Sequence, residues 1–119
     1  MTQHLTVHTR TTTAGAVIEL IGELDHHTAP EAHAALLGTD LHRGQQLVLD
    51  LTGLTFCDSS GITVMIAARN HVLASHATVV LAAVPDRVSR VLRVIGLDQV
   101  FPVHPTVEAA EAAWRPTVG

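Results

Sequence analysis

Two short runs hold most of the side chains able to do chemistry. Asp58-Ser59-Ser60-Gly61 sets two hydroxyls directly behind a carboxylate. An apolar segment precedes the run and an apolar helical pattern follows it. The run therefore falls at a helix start, where Asp58 and Ser59 are both favoured N-cap residues. A hydroxyl there sits at the positive end of the helix dipole, which stabilises an added phosphate by about 0.3–1 kcal/mol and offers it free backbone N–H partners. A phosphoserine also brings about −1.5 to −2 charge beside Asp58. The dipole and the carboxylate then oppose one another, so the fold survives while the outward potential changes. The plain alternative is a helix cap with no further role.

The second run is Gly22-Glu23-Leu24-Asp25-His26-His27-Thr28-Ala29. On its own it reads as a strand end, two solvated loop carboxylates and surface histidines. A serine hydrolase is disfavoured because Ser59 lacks the Gly-x-Ser-x-Gly elbow, position 57 being Cys, and no spacing singles out a base among nine His. His26, His27 and His33 cluster near one helix start, but no Cys joins them, so no metal site is assigned. No Gly-rich phosphate loop with a Lys is present, so no nucleotide cofactor is assigned either.

The surrounding pattern supplies elements to position these runs. Residues 4–10, with Leu5 and Val7 on one face, read as an edge strand, and Ala16 to Ile21 as a second strand after a turn at Ala14-Gly15. Residues 28–37 read as a helix, with Thr28 and Glu31 forming a capping box and Pro30 in the first turn. Its apolar stripe is Ala29, Ala32, His33, Leu36 and Leu37, and Gly38 is expected in a left-handed conformation. Leu47 to Leu51 reads as a buried central strand, followed by a loop and a helix over 59–74 that is apolar nearly all round. Ala77 to Val84 is another inner strand. Pro85 opens a helix with Val88, Val91, Leu92 and Ile95 on one face and Arg87, Arg90 and Arg93 on the other, a solvated face, stopped by Gly96. Val100 to Val103 is a short edge strand, and Thr106 to Trp114 a last helix that Trp114 pins. Two strands followed by alternating helix and strand predict a mixed sheet with parallel inner pairs.

Composition bounds the rest. The chain has 119 residues, room for one domain spanning 1–119. Its net charge is −4 and all seven cations are Arg, a balance that argues against a grip on nucleic acid or an anionic membrane. Aromatics are 3%, so stacking on single strands is disfavoured and the core must be aliphatic. Cys57 is alone and reads as a small buried hydrophobe. The start, Met1 to Val7, shows no secretory pattern, and no apolar run is of membrane-spanning length, so a cytoplasmic setting is expected.

Gly22-Glu23-Leu24-Asp25 followed by Asp58-Ser59-Ser60-Gly61 resembles the bacterial anti-sigma factor antagonists, whose domain is the STAS domain. The likeness runs on through His26-His27-Thr28-Ala29 to the sporulation-type antagonists and covers essentially the whole chain. It implies an α/β domain with a mixed four-to-five-stranded sheet and helices packed mainly on one face. It further implies a non-enzymatic protein without cofactor, phosphorylated by a partner anti-sigma factor that is itself a serine kinase using ATP, and reset by a serine phosphatase. The acceptor in the family follows the aspartate, which is Ser59 here, with Ser60 its neighbour. Asp25 and Asp58 match the flanking acids, and Asp25, Asp58, Ser59, Ser60 and Gly61 form the implied partner surface, with Asp25 beside Ser59 to orient its hydroxyl. Where the family often carries a second Gly, this chain has Thr63. The same resemblance leaves open a STAS module of another assembly, such as a stress-signalling scaffold or a lipid-transport complex.

Overall fold

A computed structural model describes residues 4–115; the run Met1-Thr2-Gln3, read above for a secretory pattern, lies outside the described residues, as do residues 116–119. The alternation around Leu5 and Val7 becomes β1 (Leu5–Thr12). β2 (Gly15–Leu24) returns antiparallel to it, with Leu5 opposite Gly22 and Thr12 opposite Gly15. There follow α1 (Ala29–Leu37), β3 (Gln46–Asp50), β4 (Leu54–Cys57), α2 (Ser59–Leu73), β5 (Thr78–Ala82), α3 (Asp86–Val94), a 3-10 turn at Leu97–Gln99, β6 (Val103–His104) and α4 (Val107–Ala113). The sheet runs β1-β2-β3-β5-β6 with β4 also on β2, and every pairing after the first is parallel.

Because side chains alternate along a strand, each inner strand feeds two cores. Ile18, Leu20, Leu47, Leu49 and Leu81 point to the face where Ala32 and Leu36 of α1, Met65 and Ala68 of α2, and Leu92 of α3 are buried. Val17, Val48 and Val80 point the other way and are covered by Val107 and Ala110 of α4. The Trp114 indole N–H, bonded to the Gly44 carbonyl at 3.0 Å, and the Gln46 amide, bonded to the Ala110 carbonyl at 3.3 Å, fasten α4 to the sheet. Helices therefore lie mainly on one face, as expected, and α2 buries Gly61, Ile62, Val64, Met65, Ala68 and Val72.

Among the described residues the sheet has six strands, one more than the four to five expected, and the surplus lies in a segment expected to be a loop. β3 stops at Asp50, whose carboxylate accepts from the Thr52 amide (3.1 Å) and hydroxyl (2.6 Å) and so turns the chain. The Gly53 carbonyl then accepts from Gly22 at 2.9 Å, and Leu54 to Cys57 resumes pairing with the far end of β2, with a bulge between Gly22 and Glu23. β2 is accordingly longer than expected and carries Glu23 and Leu24 into the sheet.

Two local expectations are corrected. Gly38 is right-handed (φ −78°) because its amide still bonds Ala34 in helical fashion. The left-handed stop is used instead at Gly96 (φ +81°), as expected there. On α3 only Val88 and Leu92 are buried, while Val91 and Ile95 stay exposed because among the described residues no element packs over that flank.

Candidate functional site

The two runs meet at the carboxyl ends of adjacent parallel strands. Leu24 of β2 pairs with Cys57 of β4, so the next residues, Asp25 and Asp58, open the two neighbouring connections to α1 and α2. The Asp58 amide donates to the Leu24 carbonyl at 3.2 Å and ties them together.

Asp58 is the α2 cap. Its Oδ1 accepts from the Ser60 amide at 2.8 Å and the Gly61 amide at 3.2 Å, while its carbonyl takes the Ile62 amide at 3.1 Å. Three of the first four helical amides are thereby satisfied. The expectation of several free N–H partners for a phosphate is corrected: Asp58 has occupied them. Ser59, the first helical residue, is exposed, and its hydroxyl makes no hydrogen bond to the chain among the described residues. Ser60 is half-buried and faces an open groove of about 450 Å³ between α1 and α2, with His26, Pro30, His33 and Thr63. Sequence reasoning set His26 and His33 on one face, and the groove brings them together. Among the described residues no group of three metal-ligating side chains converges.

Asp25 is buried rather than solvated and is 4% exposed. Its Oδ1 accepts from the amides of His27 (2.9 Å) and Thr28 (3.0 Å) and from the Thr28 hydroxyl (3.3 Å). It makes no hydrogen bond to Ser59, so the expected orienting contact is replaced by a loop-shaping one. Burial acts to raise the Asp25 pKa, but the hydrogen bonds from Thr28 and His27 outweigh it, with a smaller charge attraction from His27, and the net direction is down. Oδ2 of Asp25 is buried without a hydrogen-bond partner among the described residues. The expected Thr28–Glu31 capping box is also corrected. The Thr28 hydroxyl turns back to donate to the Glu23 carbonyl at 2.7 Å and accept from the Asp25 amide at 2.9 Å.

Gly61 is buried, so it acts beneath the site rather than as a contact surface. A Cβ there would stand 2.6 Å from the Cys57 Sγ and 2.8 Å from the Leu24 Cγ. Only Gly lets the first turn of α2 settle on the ends of β2 and β4 and hold Ser59 outward. Cys57 is the wall it settles on. Burial, helped by the Asp58 charge, pushes the Cys57 thiol up to about 12, the mark of a packing residue rather than a nucleophile. Thr63 is exposed and bonds back to the Ser59 carbonyl at 3.0 Å, so it shapes the same helix turn. The residue that sequence reasoning left without a role is Phe56, 42% exposed on β4 immediately before the site.

The family pattern of the STAS domain matches residues 5–110. The anti-sigma-B factor antagonist of Listeria monocytogenes is 30% identical over 86 residues, which cover 72% of this chain and 75% of the relative. An anti-sigma factor antagonist from Mycobacterium paratuberculosis superposes with a TM-score of 0.82 at 25% identity, covering 94% of this chain and 95% of the other. The unphosphorylated form of the anti-sigma factor antagonist SpoIIAA superposes with a TM-score of 0.77 at 24% identity, over 96% of this chain and all of the other, and shows the shared fold. No helix among the described residues is long and apolar enough to cross a membrane. An aspartate-capped serine on the strand-end surface, the mixed sheet around it and these likenesses agree that the chain belongs to the STAS domain family, among the anti-sigma factor antagonists.

Proposed function

We propose that the chain is a phosphorylation-controlled antagonist. In its unphosphorylated state it presents Asp58, Ser59 and Ser60 to an anti-sigma factor that is a serine kinase, and so frees a sigma factor. Phosphate transfer to Ser59 ends the contact, and a serine phosphatase resets it. The carrying observation is the exposure of the Ser59 hydroxyl on a rigid helix start whose amides are already held by Asp58. A phosphate there finds little to fold back on, so its charge stays at the surface beside Asp58. Like-charge repulsion and desolvation then act on the partner contact.

The chain is the substrate in this reading, not the catalyst. The kinase supplies ATP, metal and base, and what this domain contributes is position. Asp25 holds the loop before α1, Gly61 lets α2 sit low, and Asp58 fixes the first turn. Ser59 serves better than Ser60 because it is exposed, whereas Ser60 is turned into the groove. Incubation with the kinase and ATP, followed by mass spectrometry, tests the assignment. Phosphate is expected on Ser59, lost in Ser59→Ala and retained in Ser60→Ala; full-rate phosphorylation of Ser59→Ala overturns it.

A further inference from the structure

The flank of α3 that stays bare forms a groove with β4. Its walls include Phe56 and Cys57 on one side and Pro85, Arg87 and Val91 on the other, and its volume is about 140 Å³. An apolar cavity of ~150 Å³ holds a benzene ring, so this one fits a single anchoring side chain. Arg87, Val91, Val94 and Ile95 stand at i, i+4, i+7 and i+8, which continues the wall as one helical stripe. Val94 is 79% exposed and Ile95 52%, the two most exposed large hydrophobic residues among those described. Among the described residues β4 pairs with β2 alone, which leaves its other edge without a strand partner there. None of Arg87, Arg90 and Arg93 is in an ion pair among the described residues.

We propose that this groove is a second docking surface for the anti-sigma partner, receiving a segment with one apolar anchor flanked by carboxylates. The inference rests on the function proposed above, since it names a further contact of the same partner. Charge selects the occupant. The chain as a whole carries −4, and an acidic segment meets attraction on the arginine-bearing helix while the rest of the surface repels it. Position agrees: Cys57 lines the groove and Ser59 lies two residues on, so one partner can span both surfaces. The groove then supplies affinity that the phosphate does not touch, and Ser59 supplies the switch.

Calorimetric titration of the kinase against the full chain tests this, using Val94→Asp, Arg87→Glu, Ser59→Asp and, as a control at a distant exposed apolar residue, Leu73→Asp. Val94 and Arg87 are exposed, so their variants keep the fold, which circular dichroism checks. Val94→Asp and Arg87→Glu are each expected to weaken binding about tenfold, with the Arg87 effect shrinking in high salt, and Leu73→Asp to leave it unchanged. If the wild type binds and Ser59→Asp does not, while Val94→Asp and Arg87→Glu stay within about twofold of the wild type, the groove proposal alone is overturned. Absence of any wild-type binding overturns the functional reading and the groove with it. Self-association that Val94→Asp abolishes, with kinase affinity unaltered, gives the groove to a second copy of this chain and also overturns the proposal.

Discussion

Replacing Gly61 by Ala puts one methyl into the tightest contact beneath the site. The new Cβ stands 2.6 Å from the Cys57 Sγ and 2.8 Å from the Leu24 Cγ, with the Leu24 Cδ2 at 3.0 Å. Such atoms settle about 3.5–4.0 Å apart, so either α2 rises or the strand ends yield. Leu24 is fully buried and has no open space to enter, while Cys57 is partly exposed and borders the α3–β4 groove, so Leu24 and the α2 backbone take most of the strain. Overpacking of this kind costs about 1–3 kcal/mol. Replacing a helical Gly by Ala returns about 1 kcal/mol through propensity. The net expectation is a loss of about 1 kcal/mol, and for a domain of this size a Tm lower by roughly 3–6 °C. Thermal and urea unfolding of Gly61→Ala measure it. Shortening the wall by Cys57→Ala removes the nearer clash, so the Gly61→Ala penalty in that background falls by about 0.5–1 kcal/mol. A Gly61→Ala protein as stable as the wild type, or more so, refutes the close-approach reasoning. That is how an open helical glycine behaves.

Three further outcomes follow from the same geometry. Thr28→Val removes the hydroxyl that serves both the Glu23 carbonyl and the Asp25 amide, and leaves them unpaired at a cost of about 1–3 kcal/mol in urea unfolding, whereas Thr28→Ser retains most of the stability. The Asp25 pKa lies below its ordinary 3.8 in the folded state, so Asp25 contributes stability that is complete above 3.8 and is lost as pH falls through the lower folded value. Acid-unfolding curves of the wild type and Asp25→Asn are therefore expected to converge at the acid end. With its thiol pushed up to about 12 by burial and the Asp58 charge, Cys57 stays protonated at neutral pH, and alkylation by iodoacetamide is expected to be slow until urea unfolds the chain.

Much of this architecture is readable from local pattern, and what is not has specific causes. The buried helix after Asp58 follows from an apolar run too dense for a surface helix, and the Asp58 cap from its residue type and place. β4 escapes such reading because four residues after Thr52-Gly53 carry the punctuation of a turn, and only the far end of β2 makes them a strand. Asp25 and Thr28 escape it for a related reason. Both residue types cap helices, and which of them takes the amides depends on where the Glu23 carbonyl stands. Gly61 was legible as part of a motif, but its reason, the Cys57 sulfur, exists only once β4 and α2 are stacked. The α3 pattern names an apolar face correctly and cannot say that half of it is left uncovered.

In the proposed switch, one phosphate on Ser59 separates this domain from its anti-sigma partner. Calorimetry of the kinase against the purified unphosphorylated and Ser59-phosphorylated forms measures that directly. Tight binding of the first form is expected, and binding of the second weaker by about 100-fold or more. Equal affinity of the two forms contradicts it.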